Sequence, residues 1–222
     1  IGTRPIDMHL QAFEAMGAEV TLEHGYVLAK TSGKLHGADI TFPFVSVGAT
    51  QNVLMAATIA EGVTTINNAA REPEVCFLAD SLVKMGAKIH GMGSSKMVIE
   101  GQPSLHGAEI IVPADRIEAA TFIITAAITN GELALRHVNF EDVENLVSTF
   151  EEAGIEVLPK HDHILARRFN GSLNPVQIIT AAYPGFPTDI QAQIMALTTI
   201  ANGDSSIIEN IFENRFMHVP EL

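Results

Sequence analysis

The chain has 222 residues, of which 47% are hydrophobic and 18% charged, a balance that excludes an intrinsically disordered protein. A formal net charge of −13 repels a phosphate backbone over most of the surface, so we expect no nucleic-acid partner. No apolar run approaches the roughly 18 residues of a membrane span, and one cysteine fits a reducing compartment, so we expect a cytoplasmic protein without a membrane partner.

The first 34 residues contain an arginine-bearing segment followed by a predicted helix. Ile1 opens the chain without the features of a signal peptide, and we expect a fragment or a processed form. An amphipathic helix is predicted over residues 8–16, and Asp7 stands where a capping residue is usual. Arg4 precedes Pro5 with no helical neighbour to pair with, which makes it a candidate anion contact.

An internal repeat organises the rest of the chain. The tetrapeptide at residues 35–38 (Leu-His-Gly-Ala) recurs at 105–108, and a helix-ending Met-Gly-Ala motif at 16–18 returns at 85–87. Self-similarity at one period indicates a repeated structural unit. The predicted units are a tail of an earlier copy, two whole copies and the start of another: residues 1–34, 35–104, 105–175 and 176–222.

Hydrophobic periodicity predicts the order βαβαββ for each unit, an α/β fold. The first helix of each copy is apolar on nearly every face, so we expect it to be buried all round, at the centre of a globular domain and not in an open solenoid. In the first whole unit the strands are predicted near 38–42, 63–67, 87–90 and 96–100, and the helices near 47–60 and 72–85. In the second, the helices are predicted near 118–129 and 142–153, and strands near 133–138, 155–158 and 164–167.

Polar groups stand where a strand leads into a buried helix. Ser46 and Gly48 precede one such helix, where free backbone N–H groups form an anion site; the alternative is a serine cap with close helix packing. The loop 184–189 occupies the same place in the last unit, and either Thr188 or Asp189 can cap the following helix. Equivalent ends of repeated units tend to face one crevice, as strand ends do in α/β sheets.

Three further positions along the chain are candidates for a site or for a core role. Asp115 and Arg116 hold the corresponding position in the middle unit. Arg215 is either a phosphate or carboxylate clamp or a surface ion pair with a neighbouring glutamate, Glu213 or Glu221. Cys76 is predicted to be an inert core thiol, and no histidine or cysteine spacing indicates zinc.

Five segments together resemble the UDP-N-acetylglucosamine enolpyruvyl transferases of cell-wall synthesis. The resemblance covers the whole chain, and the last two segments are the most specific. It implies two domains, each an inside-out α/β barrel of three βαβαββ units, with the hinge at Pro113–Ala114. Residues 1–113 would then be the second half of one domain and 114–222 the first half of the other. The segments are residues 1–9, 45–50, 68–74, 186–189 and 212–222.

The resemblance also implies a reaction and a set of roles. The enolpyruvyl group of phosphoenolpyruvate is transferred to the 3′-hydroxyl of UDP-N-acetylglucosamine and phosphate is released, with no metal or redox cofactor. Asp189 would be the base, Arg4 would contact the phosphate, and Arg215 would stabilise the reacting centre. Asp115 and Arg116 would couple domain closure to the site. The residues implied in UDP-sugar binding are Arg4, Pro5, Ile6, Asp7, Met8, Ser46, Val47, Gly48, Asp189 and Ile211.

Two departures from the family pattern affect these expectations. Phe44 stands where many relatives carry a basic residue, so diphosphate binding relies more on backbone amides. The loop with the family's reactive cysteine would precede Ile1, and Cys76 does not match it, so the chain by itself is expected to be inactive. The rival interpretations are the sister enzyme of the shikimate pathway, which accepts a small phosphorylated acid, and a non-catalytic repeat scaffold.

Overall fold

Residues 5–222 are described by the computed structural model, whose internal contacts separate two units, Ile1–Ile110 and Ile111–Leu222. This division falls three residues before the boundary predicted at Pro113–Ala114. Each unit buries its own hydrophobic cluster. Large side chains such as Leu54 and Ile66 fill the first, and Phe150 and Ile194 fill the second.

Within the described residues, the first unit contains three helices, one antiparallel hairpin and one mixed four-stranded sheet. Strands β1 and β2 form a hairpin, and the other four strands form a sheet in the order β3-β4-β6-β5. In that sheet β3 and β4 are parallel and the remaining pairs are antiparallel. The elements are α1 (Asp7–Ala15), β1 (Glu19–Glu23), β2 (Tyr26–Lys30), β3 (Asp39–Thr41), α2 (Val47–Ala57), β4 (Val63–Asn67), α3 (Pro73–Lys84), β5 (Lys88–His90) and β6 (Lys96–Glu100).

Helix α3 illustrates why these segments fold as they do. Pro73 occupies the first turn, where its missing N–H costs nothing, and Gly86 ends the helix with a φ of 100°. The side chains of Val75, Ala79 and Leu82 recur at helical spacing and are buried in the hydrophobic cluster of the first unit. Burial of this stripe orients the helix.

The second unit, all of whose residues are described, also contains three α-helices and two sheets. A three-stranded antiparallel sheet has the order β7-β9-β8, and β10 and β11 form a parallel pair. Short 3-10 helices lie at Phe140–Asp142, Thr188–Ile190 and Val219–Glu221. The other elements are α4 (Arg116–Ile128), β7 (Glu132–Arg136), α5 (Glu144–Glu152), β8 (Ile155–Pro159), β9 (His163–Arg168), β10 (Gln177–Ile179), α6 (Gln191–Thr198) and β11 (Ser206–Ile208).

The topology confirms the predicted repeat. The order β4-β6-β5 of the first unit returns as β7-β9-β8 in the second. The parallel pair β3 and β4, joined through α2, returns as β10 and β11, joined through α6. A parallel pair needs such a crossover, which explains why a helix stands between the two strands each time.

Two expectations about the repeat were wrong. The second whole copy lacks its first strand, because residues 101–115 form neither helix nor strand, and Ile111 and Val112 are 87% and 79% exposed. The first helices are not buried all round either, since Met55 of α2 and Phe122 of α4 are 44% and 45% exposed. A helix packed on one side of a small sheet buries one stripe and leaves the opposite face to solvent.

Within residues 5–222, no helix is both long enough and apolar enough to cross a bilayer.

Candidate active site

The predicted site residues of the first unit lie at the start of two packed helices. Arg4 lies outside the described residues. Pro5, Ile6 and Asp7 are exposed at the start of α1, and Met8 packs against the core of the unit. Asp7 was expected to cap the helix, but it does not. It is the first helical residue, and its negative charge there complements the helix dipole.

Ser46 is the N-cap of α2. Its Oγ accepts the N–H of Ala49 at 3.3 Å, and its carbonyl accepts both the N–H and the hydroxyl of Thr50, at 3.0 and 2.7 Å. The capping alternative is therefore correct for the serine. Val47 and Gly48 form the first turn, whose N–H groups point away from the helix's own carbonyls, and Gly48 is exposed. The capped turn remains able to receive an anion.

His9 joins the two segments and was missed by the sequence interpretation. Its Nδ1 lies 2.7 Å from the side-chain amide nitrogen of Asn52 on α2, and its ring lies 3.4 Å from where a Cβ on Gly48 would stand. An amide nitrogen is only a donor, so Nδ1 accepts and the neutral ring carries its proton on Nε2. A donor is thereby placed beside the Ser46–Gly48 turn.

In the second unit Thr188 and Asp189 do not cap the following helix, contrary to expectation. Both side chains turn toward the segment after β11. Asp189 Oδ1 accepts from Arg215 Nη2 at 3.0 Å, and Thr188 Oγ1 accepts from Arg215 Nη1 at 2.6 Å. The alternative pairing of Arg215 with Glu213 or Glu221 is wrong, because the guanidinium is engaged by these two consecutive residues.

Glu209 completes this arrangement and was not singled out from the sequence. Its Oε2 accepts the hydroxyl of Thr188 at 2.8 Å, while Oε1 accepts the backbone N–H groups of Ile211 and Phe212 at 2.8 and 3.0 Å. Partial burial is the largest single influence and raises the pKa of Glu209, but the combined hydrogen bonds outweigh it and hold the pKa below its ordinary value. The only sequence signal was a glutamate directly after an apolar strand.

Asp115 and Arg116 lie at the start of α4, which packs against the 3-10 helix that carries Asp189. Asp115 caps α4 by accepting the N–H groups of Ile117 and Glu118 at 2.7 and 3.2 Å. The buried guanidinium of Arg116 lies 5.8 Å from the ring centre of Tyr183, in the loop leading to Asp189. These residues therefore support the loop that holds the carboxylate.

The remaining candidates separate from these two groups. Cys76 was expected to be a core thiol. It is only partly buried and lies outside the core cluster of the first unit. Within residues 5–222, no set of three His, Cys, Asp or Glu side chains could hold a metal ion.

Comparison with solved structures identifies the class of fold. The enolpyruvyl transferase NikO from Streptomyces tendae superimposes with a TM-score of 0.88 over all of this chain and 55% of its own, at 22% identity. EPSP synthase from Acinetobacter baumannii gives 0.68 over 98% of this chain and 52% of its own, at 20% identity. The chain has the enolpyruvyl transferase fold, as was predicted.

The family follows from the sequence itself. The model of the EPSP synthase (3-phosphoshikimate 1-carboxyvinyltransferase) family matches residues 1–222, and the chain belongs to this family. It is also 53% identical to the UDP-N-acetylglucosamine 1-carboxyvinyltransferase of Granulibacter bethesdensis and 50% identical to that of Acinetobacter baylyi. Both alignments cover the whole chain but 53% of each relative, so the chain spans about half of their length.

Proposed function

We propose that the complete protein transfers the enolpyruvyl group of phosphoenolpyruvate to the 3′-hydroxyl of UDP-N-acetylglucosamine, with release of phosphate. The observation that carries this proposal is the pairing of an exposed carboxylate, Asp189, with the guanidinium of Arg215 at 3.0 Å. A base beside a cation suits a reaction in which a hydroxyl loses its proton while negative charge gathers nearby. The names of the relatives that are half identical to the chain support the same substrates.

The reaction assigns distinct work to the two groups. Asp189 accepts the proton of the sugar hydroxyl while the hydroxyl oxygen bonds to the central carbon of phosphoenolpyruvate. The methylene carbon of phosphoenolpyruvate takes up a proton in the same step. The resulting tetrahedral ketal then loses a proton from that methyl group and expels phosphate, which restores the double bond. Arg215 stabilises charge at this centre, and Arg4 contacts the phosphate group.

The first unit supplies the nucleotide-sugar contacts in this proposal. The N–H groups of the Ser46–Gly48 turn face a diphosphate, and Pro5 to Met8 lie on the neighbouring helix start. Phe44 is exposed beside the turn, so the backbone amides and Arg4 carry most of the anion recognition. In this proposal Ile211, whose N–H is bound by Glu209, is a further residue assigned to sugar-nucleotide binding.

The proposal extends to the place of the protein in the cell. It works in the cytoplasm at the first committed step of peptidoglycan synthesis, and so supports cell shape and division. In this proposal residues 1–113 form the second half of the first domain and 114–222 the first half of the second, and Asp115 and Arg116 support the loop that holds Asp189.

Substitution of Asp189 in the full-length enzyme tests the base. We expect Asp189→Ala to lower kcat by about 10²–10⁴-fold, the usual contribution of a general base, while the unfolding midpoint in urea is retained. Asp204→Ala, which removes another exposed carboxylate of the same unit, is the matched control and keeps full phosphate release. Unchanged turnover in Asp189→Ala would misplace the base and favour a non-catalytic scaffold.

The description of the matching family favours a second acceptor, 3-phosphoshikimate. Isothermal titration of the full-length enzyme distinguishes the two: we expect saturable binding of UDP-N-acetylglucosamine and none of shikimate 3-phosphate at the same concentration. The reverse result would assign the protein to the shikimate pathway.

A further inference from the structure

Glu209 is a half-buried carboxylate whose two oxygens are both engaged by donors. One oxygen accepts two consecutive backbone N–H groups, from Ile211 and Phe212, and the other accepts the hydroxyl of Thr188. Thr188 also lies within reach of Arg215 Nη1, at 2.6 Å. The carboxylate thus lies one side chain away from the guanidinium.

The direction of these hydrogen bonds is determined by the chemistry of the groups. A carboxylate and a guanidinium are respectively only an acceptor and only a donor, so the Thr188 hydroxyl must give its proton to Glu209 and accept from Arg215. Thr188 is buried, so this proton has no solvent alternative. The lone pairs of the hydroxyl are held toward Arg215 as a consequence.

Glu209 also acts on Arg215 from a second side. The aromatic ring of Phe212 lies 5.2 Å from the guanidinium carbon of Arg215, and the backbone N–H of Phe212 is bound by Glu209. The same carboxylate therefore orients both a hydroxyl and a ring against the guanidinium. Because Thr188 intervenes, Arg215 is oriented without a second ion pair that would neutralise it in addition to Asp189.

We propose that Glu209 is a positioning residue that, through Thr188 and the Phe212 turn, holds the Arg215 guanidinium in its reactive orientation beside Asp189. This assignment rests on the proposed function, since Arg215 there stabilises the reacting centre. Misplacement of such a group by about 1 Å can lower the rate on the order of 10²-fold without loss of substrate binding.

An isosteric amide cannot replace the carboxylate. If the Glu209→Gln side chain turns its NH₂ toward Thr188, the buried hydroxyl loses its acceptor. If it turns its NH₂ toward Ile211 and Phe212, donors face donors. The first orientation leaves the buried Thr188 hydroxyl without an acceptor, and the second breaks the hydrogen bonds to the Phe212 turn, so either one releases Arg215 on one side.

The experiment measures kcat and KM of the full-length enzyme by phosphate release, for Glu209→Gln and Thr188→Val against wild type. We expect kcat to fall about 10–100-fold in both, with KM for UDP-N-acetylglucosamine changed less than about 3-fold. Thr188→Ser keeps the hydroxyl and Glu213→Gln changes an exposed neighbouring glutamate, so both controls stay within about 3-fold of wild type.

A double-mutant cycle separates positioning from general loss of stability. If Glu209 acts through Arg215, Glu209→Gln has no further effect on kcat in an Arg215→Lys background, whereas independent effects multiply. Multiplying effects, or wild-type kcat in both Glu209→Gln and Thr188→Val, would overturn the assignment while leaving the proposed function intact. A wild-type enzyme that transfers no enolpyruvyl group overturns the proposed function and the assignment together.

Discussion

A connected chain of hydrogen bonds links the polar side chains around Asp189 and Arg215 in the second unit. Glu209 holds Thr188 and a backbone turn, Thr188 and Asp189 hold Arg215, and Gln193 donates to the Asp189 carbonyl at 3.0 Å. A group held from several sides loses little freedom when substrate arrives, which is the usual advantage of a preorganised site. The Asp189 side chain remains exposed beside the Arg215 guanidinium.

The reactivity of Cys76 is a prediction at the same scale. Burial, with the charges of Glu72 and Glu74, raises the pKa of its thiol above the ordinary value. Only the thiolate is nucleophilic, so at pH 8 the folded chain should be alkylated by iodoacetamide more slowly than the same chain in urea. The rate should rise as pH increases through the folded pKa, and Glu74→Gln should shift this rise to lower pH.

Because Cys76 is the only cysteine, mass spectrometry reports on it directly. The folded state prefers the protonated thiol, so its contribution to stability is present below the unfolded pKa and is lost as pH rises through the folded one. Alkylation of the folded chain as fast as the unfolded chain would contradict the raised pKa.

At the scale of elements, the repeat places identical tetrapeptides in different surroundings. Gly37 lies beside β4: its N–H donates to the Glu61 carbonyl at 2.7 Å, and an added Cβ would clash with the Val63 carbonyl oxygen. An added Cβ at Gly107 would meet nothing within 4 Å. Residues 101–115 form no strand, so Gly107 lies in an open segment, whereas the segment after Gly37 forms β3 and pairs with β4.

Alanine substitutions at the two glycines test this difference. We expect Gly37→Ala to lower the free energy of unfolding by about 1–3 kcal/mol, since backbone atoms must move to admit the methyl group. Gly107→Ala should change it by less than about 0.5 kcal/mol. Urea unfolding followed by circular dichroism measures both, and equal losses in the two variants would show that the repeat is symmetrical at these positions.

The helices and strands were largely predictable because their hydrophobic periods are regular. The strands predicted at 63–67 and 96–100 agree with β4 and β6, and the helix predicted over 72–85 agrees with α3 within one residue at each end. The caps were less predictable. A threonine or aspartate before a helix is usually a cap. Thr188 and Asp189 instead form hydrogen bonds with Glu209 and Arg215, more than twenty residues later in the chain.

At the scale of the whole molecule, the connection between the two units is an exposed segment without helix or strand. His106 is tied to the first unit by its N–H to the Met85 carbonyl at 2.9 Å, and Asp115 begins α4 of the second. Ile111 and Val112 lie between them without helix or strand and are largely exposed. Exposed segments of this kind are preferred sites of proteolysis.

Limited digestion of the chain with thermolysin, which cuts before large apolar residues, tests the boundary. We expect the first cut near Ile110–Ile111, giving two fragments of nearly equal mass that resist further digestion. Ile111→Gly should slow this cut, while digestion in urea should be unselective. Early cuts inside either unit, with residues 110–112 left intact, would contradict the division.

The amino-acid sequence by itself determined the repeat, the α/β class and the family, because hydrophobic period and motif identity are properties of neighbouring residues. It also marked Asp189 and Arg215 as polar groups in special loops. Only the tertiary structure decided that these two side chains pair, that Glu209 supports them through Thr188, and that equal tetrapeptides at 35–38 and 105–108 are packed differently. The physical reason is that hydrogen-bond partners and steric crowding depend on segments far apart in the chain, which no local pattern specifies.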